Sequence, residues 1–420
     1  MIIVIAVGII GLGYFGEHRA SPATVPPATA AAMASPALSS SARSLASPAA
    51  PSASEGPTPN GPDVLQTLTG LARLPLPPGR VTVSSLPLRV VDRSMALIGP
   101  RLFYIVASYR IESSVIGSSA DPQTLAVAGA GESINELAAA GGSLVYVVTS
   151  TSGAAGQMGS FGGALQVTWT VWLLDLKSGD RRQLAGGTGY TSDFTGADLP
   201  IHVAVTGSAY AFDRPASSPG TTGGETVEVH SLDGGLLWSS AVPSAVLDLM
   251  LGGNRLAILT QDAGSRAAPR TLWLADATHP NPLEVSRPAS SASLSSDGAY
   301  LAWDLAPVAG SGGSLVSNVG IENTASGTVT FLRPPTTAAV LPSGPSVSAT
   351  AGGPVVAWLA TAPGGLVYPA FSYAGGGAAG FFDSVQQPVW LQVEGTQLTW
   401  VTESRDGAFA KAFAADLTSS

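Results

Sequence analysis

Residues 290–305 contain the run Leu294-Ser295-Ser296-Asp297-Gly298-Ala299-Tyr300-Leu301-Ala302-Trp303. A Ser-Asp-Gly turn between two apolar runs is a hairpin signal, because Gly supplies the positive φ that a tight reversal needs. The frame recurs. With Gly298 as origin it fits again at Gly99, Gly142, Gly207, Gly253, Gly353 and Gly395. Three residues after each Gly stand Leu102, Val145, Tyr210, Leu256, Leu301, Val356 and Leu398, and five after stand Tyr104, Val147, Phe212, Ile258, Trp303, Trp358 and Trp400. Four residues before each Gly stand Met95, Ala138, Val203, Leu249, Leu294, Ala349 and Leu391, so an apolar strand also enters each turn.

The units lie roughly 40 to 65 residues apart, a spacing typical of radial β-sheet repeats with occasional insertions. The longer gaps hold Gly- and Ser-rich insertions at 150–163, 188–200 and 309–314. Second hairpins complete several units at 171–184, 227–238, 272–285 and 319–332, each with alternating strands around a polar turn. These residues resemble the TolB-like and WD-repeat class of β-propellers, in which a Ser-x-Asp-Gly turn precedes an apolar strand and an Asp-x-x-x-Gly turn follows the next. The resemblance spans residues 80–420, with the full turn at Asp297-Gly298 and the Gly frame in the other units. It implies an all-β, seven-bladed propeller, with six or eight blades the alternatives if a terminal unit is misread. The last unit is short, so residues 81–91 are expected to complete its sheet and remove an open edge.

Composition agrees with many short strands. The 420 residues are 45% hydrophobic and 11% charged, with 50 Gly and 32 Pro, and they lack the Glu, Lys and Leu content of a helical protein. A net charge of −9, spread thinly, argues against nucleic acid and anionic lipid headgroups as partners. The absence of Cys excludes disulfides, thiolate metal sites, Cys nucleophiles and a lipid-modified N-terminal Cys.

Residues 1–16 are apolar and uncharged, too short to span a bilayer comfortably and without the basic residues that usually open a signal peptide. They read as a membrane anchor, as the tail of an export signal that starts upstream, or as a cleaved signal with Ala32-Met33-Ala34 as its small-x-small site. Gly11-Leu12-Gly13-Tyr14-Phe15-Gly16 has dinucleotide-turn spacing, but the Ala, Ser and Pro that follow supply neither a βαβ unit nor an acidic residue for a ribose. Residues 17–62 form an Ala/Pro/Ser-rich tract expected to be a disordered stalk. Residues 63–79 are expected to form one short amphipathic helix and a connector, with Asp63 as N-cap, Val64, Leu65, Leu68 and Leu71 at helical spacing, and Pro75 as terminator. The propeller then occupies 80–420.

Candidates for chemistry are few. Trp303, Trp358 and Trp400 share one register and are expected to pack between blades. No Gly-x-Ser-x-Gly elbow occurs, and only His18, His202, His230 and His279 could serve a triad. Five residues before the Gly the frame is often polar, with Ser94, His202, Asp248, Ser293 and Ser348 against Leu137 and Trp390. These fall on the strand nearest the central channel, so His202 and Asp248 are expected on neighbouring blades at one height, as a hydrogen-bonded pair or as channel-lining groups. A structural polar pair outweighs a ligand or metal site there. Asp233, Asp262, Asp276 and Asp297 sit in turns, where Asp caps its own backbone, and no carboxylate or His cluster has metal spacing. No cofactor is implied.

Three functions remain. The first is a membrane-tethered or secreted extracytoplasmic binding or scaffold module, recognising a protein, peptide or glycan through loops on one face. The second is a propeller hydrolase or lyase acting on an extracellular polymer. The third is a structural envelope protein. Scarce ionisable residues favour the first, because acid–base catalysis needs a paired acid and base.

Overall fold

A computed structural model describes residues 64–67, 72–74, 94–151, 165–191, 201–214, 225–262, 269–305, 308–309, 315–316, 319–333, 344–361, 367–373, 379–382, 387–403 and 410–417. They belong to the compact unit Glu55–Ser420. The segments expected as anchor, stalk and closing strand (1–16, 17–62 and 81–91) lie outside the described residues, as does His18. Among the described residues no helix is long and apolar enough to cross a membrane.

The seven units fold as seven antiparallel sheets, the blades of a β-propeller. Blade 1 comprises Met95–Ile98, Arg101–Val106, Arg110–Val115 and Gln123–Val127, in that order from its first strand to its outermost. Blade 2 is Glu132–Ala140, Ser143–Thr151, Leu165–Asp175 and Arg181–Thr191; blade 3 is Val203–Val205, Ala209–Arg214, Glu225–Ser231 and Leu236–Val242. Blade 4 is Ala245–Gly252, Arg255–Gln261, Arg270–Asp276 and Leu283–Ser286. Blade 5 is Ala289–Leu294, Tyr300–Leu305, Val319–Asn323 and Thr328–Arg333; blade 6 is Ser346–Thr350, Gly353–Thr361, Val367–Tyr373 and Ala379–Phe382. Blade 7 shows three strands, Gln387–Glu394, Gln397–Glu403 and Ala410–Asp416. Residues 188–191, expected in a loop, extend the last strand of blade 2 and pair with Leu165–Thr168.

Apolar surface between adjacent sheets closes the ring. Trp303 of blade 5 packs against Ala257, Leu259 and Leu272 of blade 4, and Trp358 of blade 6 against Ala302, Val319 and Ile321 of blade 5. Trp400 of blade 7 stacks on Phe382 of blade 6 at 5.2 Å between ring centroids. The last step joins the first and last blades: Tyr104 of blade 1 shares a core with Trp390, Val401 and Ala412 of blade 7. The aromatic register thus faces back onto the preceding blade, as packing between blades requires.

Blade 2 corrects one register. Ala140 pairs with Ser143, so its two-residue turn is Gly141-Gly142, and Gly141 occupies the place that Gly99, Gly253 and Gly395 occupy in blades 1, 4 and 7. Counted from Gly141, the aromatic position is Tyr146, fully buried against blade 1, and the polar position is Glu136 rather than Leu137.

Residues 64–67 and 72–74 also depart from expectation. In place of a helix, Val64–Thr67 runs parallel to the outermost strand of blade 5, and Ala72–Leu74 runs parallel to that of blade 6. Gly70 and the threonines at 67 and 69 weaken a helix here, and the free N–H and C=O groups of two open sheet edges offer a stronger alternative.

The topology divides the connections between two ends of the propeller. First-to-second and third-to-fourth strands are joined at one end by tight turns such as Gly253-Asn254, 232–235 and 324–327. The connections at the other end include 152–164, 192–200, 215–224, 263–268, 306–318, 334–343, 362–366 and 404–409.

Candidate functional site

The innermost strands carry the polar register, and His202 is its centre. Its Nδ1 lies 3.0 Å from Glu136 Oε2 of blade 2, and its Nε2 lies 3.1 Å from the Val246 carbonyl of blade 4. A carbonyl only accepts, so Nε2 carries a hydrogen and donates it. The other oxygen of Glu136 accepts the Val203 amide at 2.9 Å, and the His202 amide donates to Asp213 Oδ1. Glu136, His202 and Asp213 are each 3% exposed or less, so three blades meet on a buried, hydrogen-bonded charge cluster.

Asp213 and one further acid, Glu225, complete the electrostatics. Burial pushes the Asp213 carboxyl up to about 6, against the pull of His202 beside it. Burial, reinforced by the nearby Asp213, pushes Glu225 up to about 7, while its Oε2 accepts the Val246 amide at 2.8 Å. Each carboxylate meets a backbone N–H of an innermost strand or of the residue that leads into one.

The same device runs round the ring. Ser293 of blade 5 accepts the Val347 amide of blade 6 at 3.3 Å. Ser346 and Ser348 of blade 6 accept the Val393 and Gly395 amides of blade 7 at 2.9 and 2.8 Å. Glu394 of blade 7 accepts the Gly99 amide of blade 1 at 2.8 Å, across the junction of the first and last blades. Between blades 4 and 5 backbone replaces side chain: Gly253 N donates to Ser296 O at 3.0 Å. Glu136, Ser293 and Ser348 of the polar register are therefore acceptors that one blade offers to its neighbour.

The residues singled out in the sequence fall as follows. Ser94 is buried just before the first strand of blade 1, and its carbonyl accepts the Ile105 amide. Asp248 is half-buried on the innermost strand of blade 4, beyond the bulge that follows Val246, in the register that His202 holds on blade 3. The contacts of His202 run to Glu136, which the misplaced origin in blade 2 concealed. Asp213 and Glu225, on the second and third strands of blade 3, have no signal in the Gly frame.

The other histidines serve local structure. His230 stacks on Tyr210 at 5.3 Å and bonds Glu228, which holds Arg214 through both its oxygens. His279 is exposed and sits in the turn capped by Asp276. Asp233, Asp276 and Asp297 cap their own turns as expected. Asp262 accepts from Ser244 at 2.9 Å and pairs with Arg287 at 2.9 Å, and the turn it was expected to cap, 263–268, lies outside the described residues. Among the described residues no group of three or more His, Asp or Glu is placed to hold a metal ion.

No protein-family model matches the chain, and no curated protein sequence does either. Solved structures do. The β-propeller domain of the Trilobed protease from Pyrococcus furiosus, described as having an open velcro topology, aligns with a TM-score of 0.50 at 8% identity, over 77% of this chain and 93% of that one. The acylaminoacyl peptidase of Pyrococcus horikoshii aligns with a TM-score of 0.46 at 9% identity, over 73% of this chain and 49% of that one. An oligogalacturonate lyase in complex with manganese aligns with a TM-score of 0.39 at 13% identity, over 67% of this chain and 73% of that one. The first of these supports the propeller fold.

Proposed function

We propose that this chain is an extracytoplasmic binding or scaffold propeller of the TolB-like and WD-repeat type, tethered to a membrane through residues 1–16 or secreted. Its ligand is a protein, peptide or glycan taken up at the end that carries the long connections. One observation carries the reading: Glu136, Asp213 and Glu225, on and beside the innermost strands of blades 2 to 4, are committed to backbone amides, while sequence length is concentrated at one end. Glu136 and Glu225 each hold a main-chain N–H, and both ring nitrogens of His202 have partners. A general acid or base needs a lone pair or proton facing substrate, and these groups face the neighbouring blade. Connections that vary in length on a rigid scaffold are the usual carriers of recognition.

The test compares the full chain with a variant in which 152–164 and 306–314 are replaced by short turns. Both are immobilised and presented with a peptide library and with panels of envelope polysaccharides. The reading expects a ligand that binds the full chain, survives unchanged in mass, and is lost by the shortened variant at unaltered melting temperature. Cleavage of a panel member by the full chain replaces this reading with the hydrolase or lyase one. Equal binding by both chains contradicts the assignment of the recognition end.

A further inference from the structure

The outer edges of the blades differ in a way that the repeat does not explain. In blades 1 to 4 the outermost strand carries one extra residue against its neighbour: Leu125, Leu184, Leu237 and Val285. Bulges of this kind bend an edge and block pairing with a further strand. The outermost strands of blades 5 and 6 keep an unbroken register with their neighbours. Among the described residues those two edges are the ones covered, Thr330 to Arg333 by Val64–Thr67 and Gly380 to Phe382 by Ala72–Leu74, both in parallel, while the third strand of blade 7 also keeps its register but pairs with no covering strand. The covering strands come from outside the repeats.

From this pairing we propose that the edges of blades 5 and 6 are a strand-acceptor surface through which copies of this chain associate, each giving its 64–74 segment to its neighbour. The contacts made in trans are those already made within one chain, so exchange requires no new interface chemistry, and domain swapping is a low-cost route to a dimer on that ground. The chain length permits it. Residues 75–93 separate the covering strands from blade 1, and at ~3.3 Å per residue they reach roughly 60 Å, enough to cross to an adjacent propeller. The covering strands are four and three residues long, so little pairing is broken when they leave. The proposal is independent of what the opposite connections bind.

The full chain has no Cys, so introduced thiols report one pairing at a time. Val64 and Thr330 are ladder partners. A V64C chain is incubated at high concentration with a T330C chain and mildly oxidised, beside a control pair of T330C and S119C, the latter exposed on blade 1. A V64C/T330C chain is oxidised alone. Exchange predicts a mixed disulfide dimer that forms about ten-fold faster than the control, and a concentration-dependent mass for the unaltered chain in sedimentation. Two results overturn the proposal. In one, the double variant closes within single chains while the mixed pair is no faster than its control. In the other, neither forms, so the pairing itself is absent in solution.

Discussion

Glu136 and His202 lie on different blades, yet Glu136 Oε2 approaches His202 Nδ1 to 3.0 Å while Oε1 of the same carboxylate takes the Val203 amide at 2.9 Å. One carboxylate therefore holds both a side chain and the backbone next to it. Removing it takes the acceptor from the Val203 amide and the carboxylate from His202 Nδ1 at the junction of three blades. Glu136→Ala is expected to destabilise the chain by about 3–5 kcal/mol, the range for breaking one side of a buried ion pair. Glu136→Gln keeps an acceptor for the amide and costs less. Chemical denaturation of the three proteins checks the order.

The acids beside this pair set a pH dependence. An acid whose folded value exceeds its unfolded one binds more protons folded, so stability falls as pH rises through the interval. For Glu225 the interval runs from 4.5 to about 7, and for Asp213 from 3.8 to about 6. Glu225→Gln retains the Val246 contact without a charge. It is expected to recover on the order of 1–3 kcal/mol of the stability that the native chain loses between about pH 5 and pH 8. Denaturant midpoints at the two pH values check this, and identical slopes contradict it.

Trp358 is fully buried between blades 5 and 6, and its Nε1 has no hydrogen-bond partner. Its contribution is packing. Trp358→Ala is expected to cost about 3–5 kcal/mol and Trp358→Phe roughly half of that, because no hydrogen bond is lost with the indole. Thermal melts separate the two.

Blades 4 and 5 meet backbone to backbone. A Cβ on Gly252 would lie 2.1 Å from the Ser295 carbonyl oxygen, and one on Gly298, where φ is +75°, would lie 2.3 Å from the Gly252 oxygen. Neither obstacle is a flexible side chain. Gly252→Ala and Gly298→Ala are each expected to cost more than about 2 kcal/mol, whereas Gly327→Ala, with positive φ but open space, bears only the backbone term. Equal losses at all three positions contradict the steric account.

Much of the ring was legible because two local rules coincide in most units. A turn Gly marks the hairpin, and alternation on both sides marks which residues reach the core, as at Leu301 and Trp303. The rule failed where its marker was doubled. Gly141-Gly142 offers two origins, and choosing the second exchanged Glu136 for Leu137, although the aromatic Tyr146 pointed to the first. The 64–74 segment was misread because Val64, Leu65, Leu68 and Leu71 satisfy helical spacing, while its true partners near 330 and 380 are remote in sequence. Bulges at Leu125, Leu184, Leu237 and Val285 lie on the outermost strands, which the Gly frame of the first hairpin does not reach. Asp213 and Glu225 became visible only once the second and third strands of blade 3 were placed beside the first.

Polar acceptors on and beside the inner strands fasten one blade to the next, and the proposed recognition falls to the connections at one end. Hydrogen exchange of the full chain, resolved at the amides of Val203, Val246, Val347 and Val393, tests this most directly. Those amides are expected to exchange only through global unfolding, and Glu136→Ala is expected to release Val203 while Val347 and Val393 stay protected. Fast exchange at these four positions in the native chain, or uniform release by the single substitution, would contradict it.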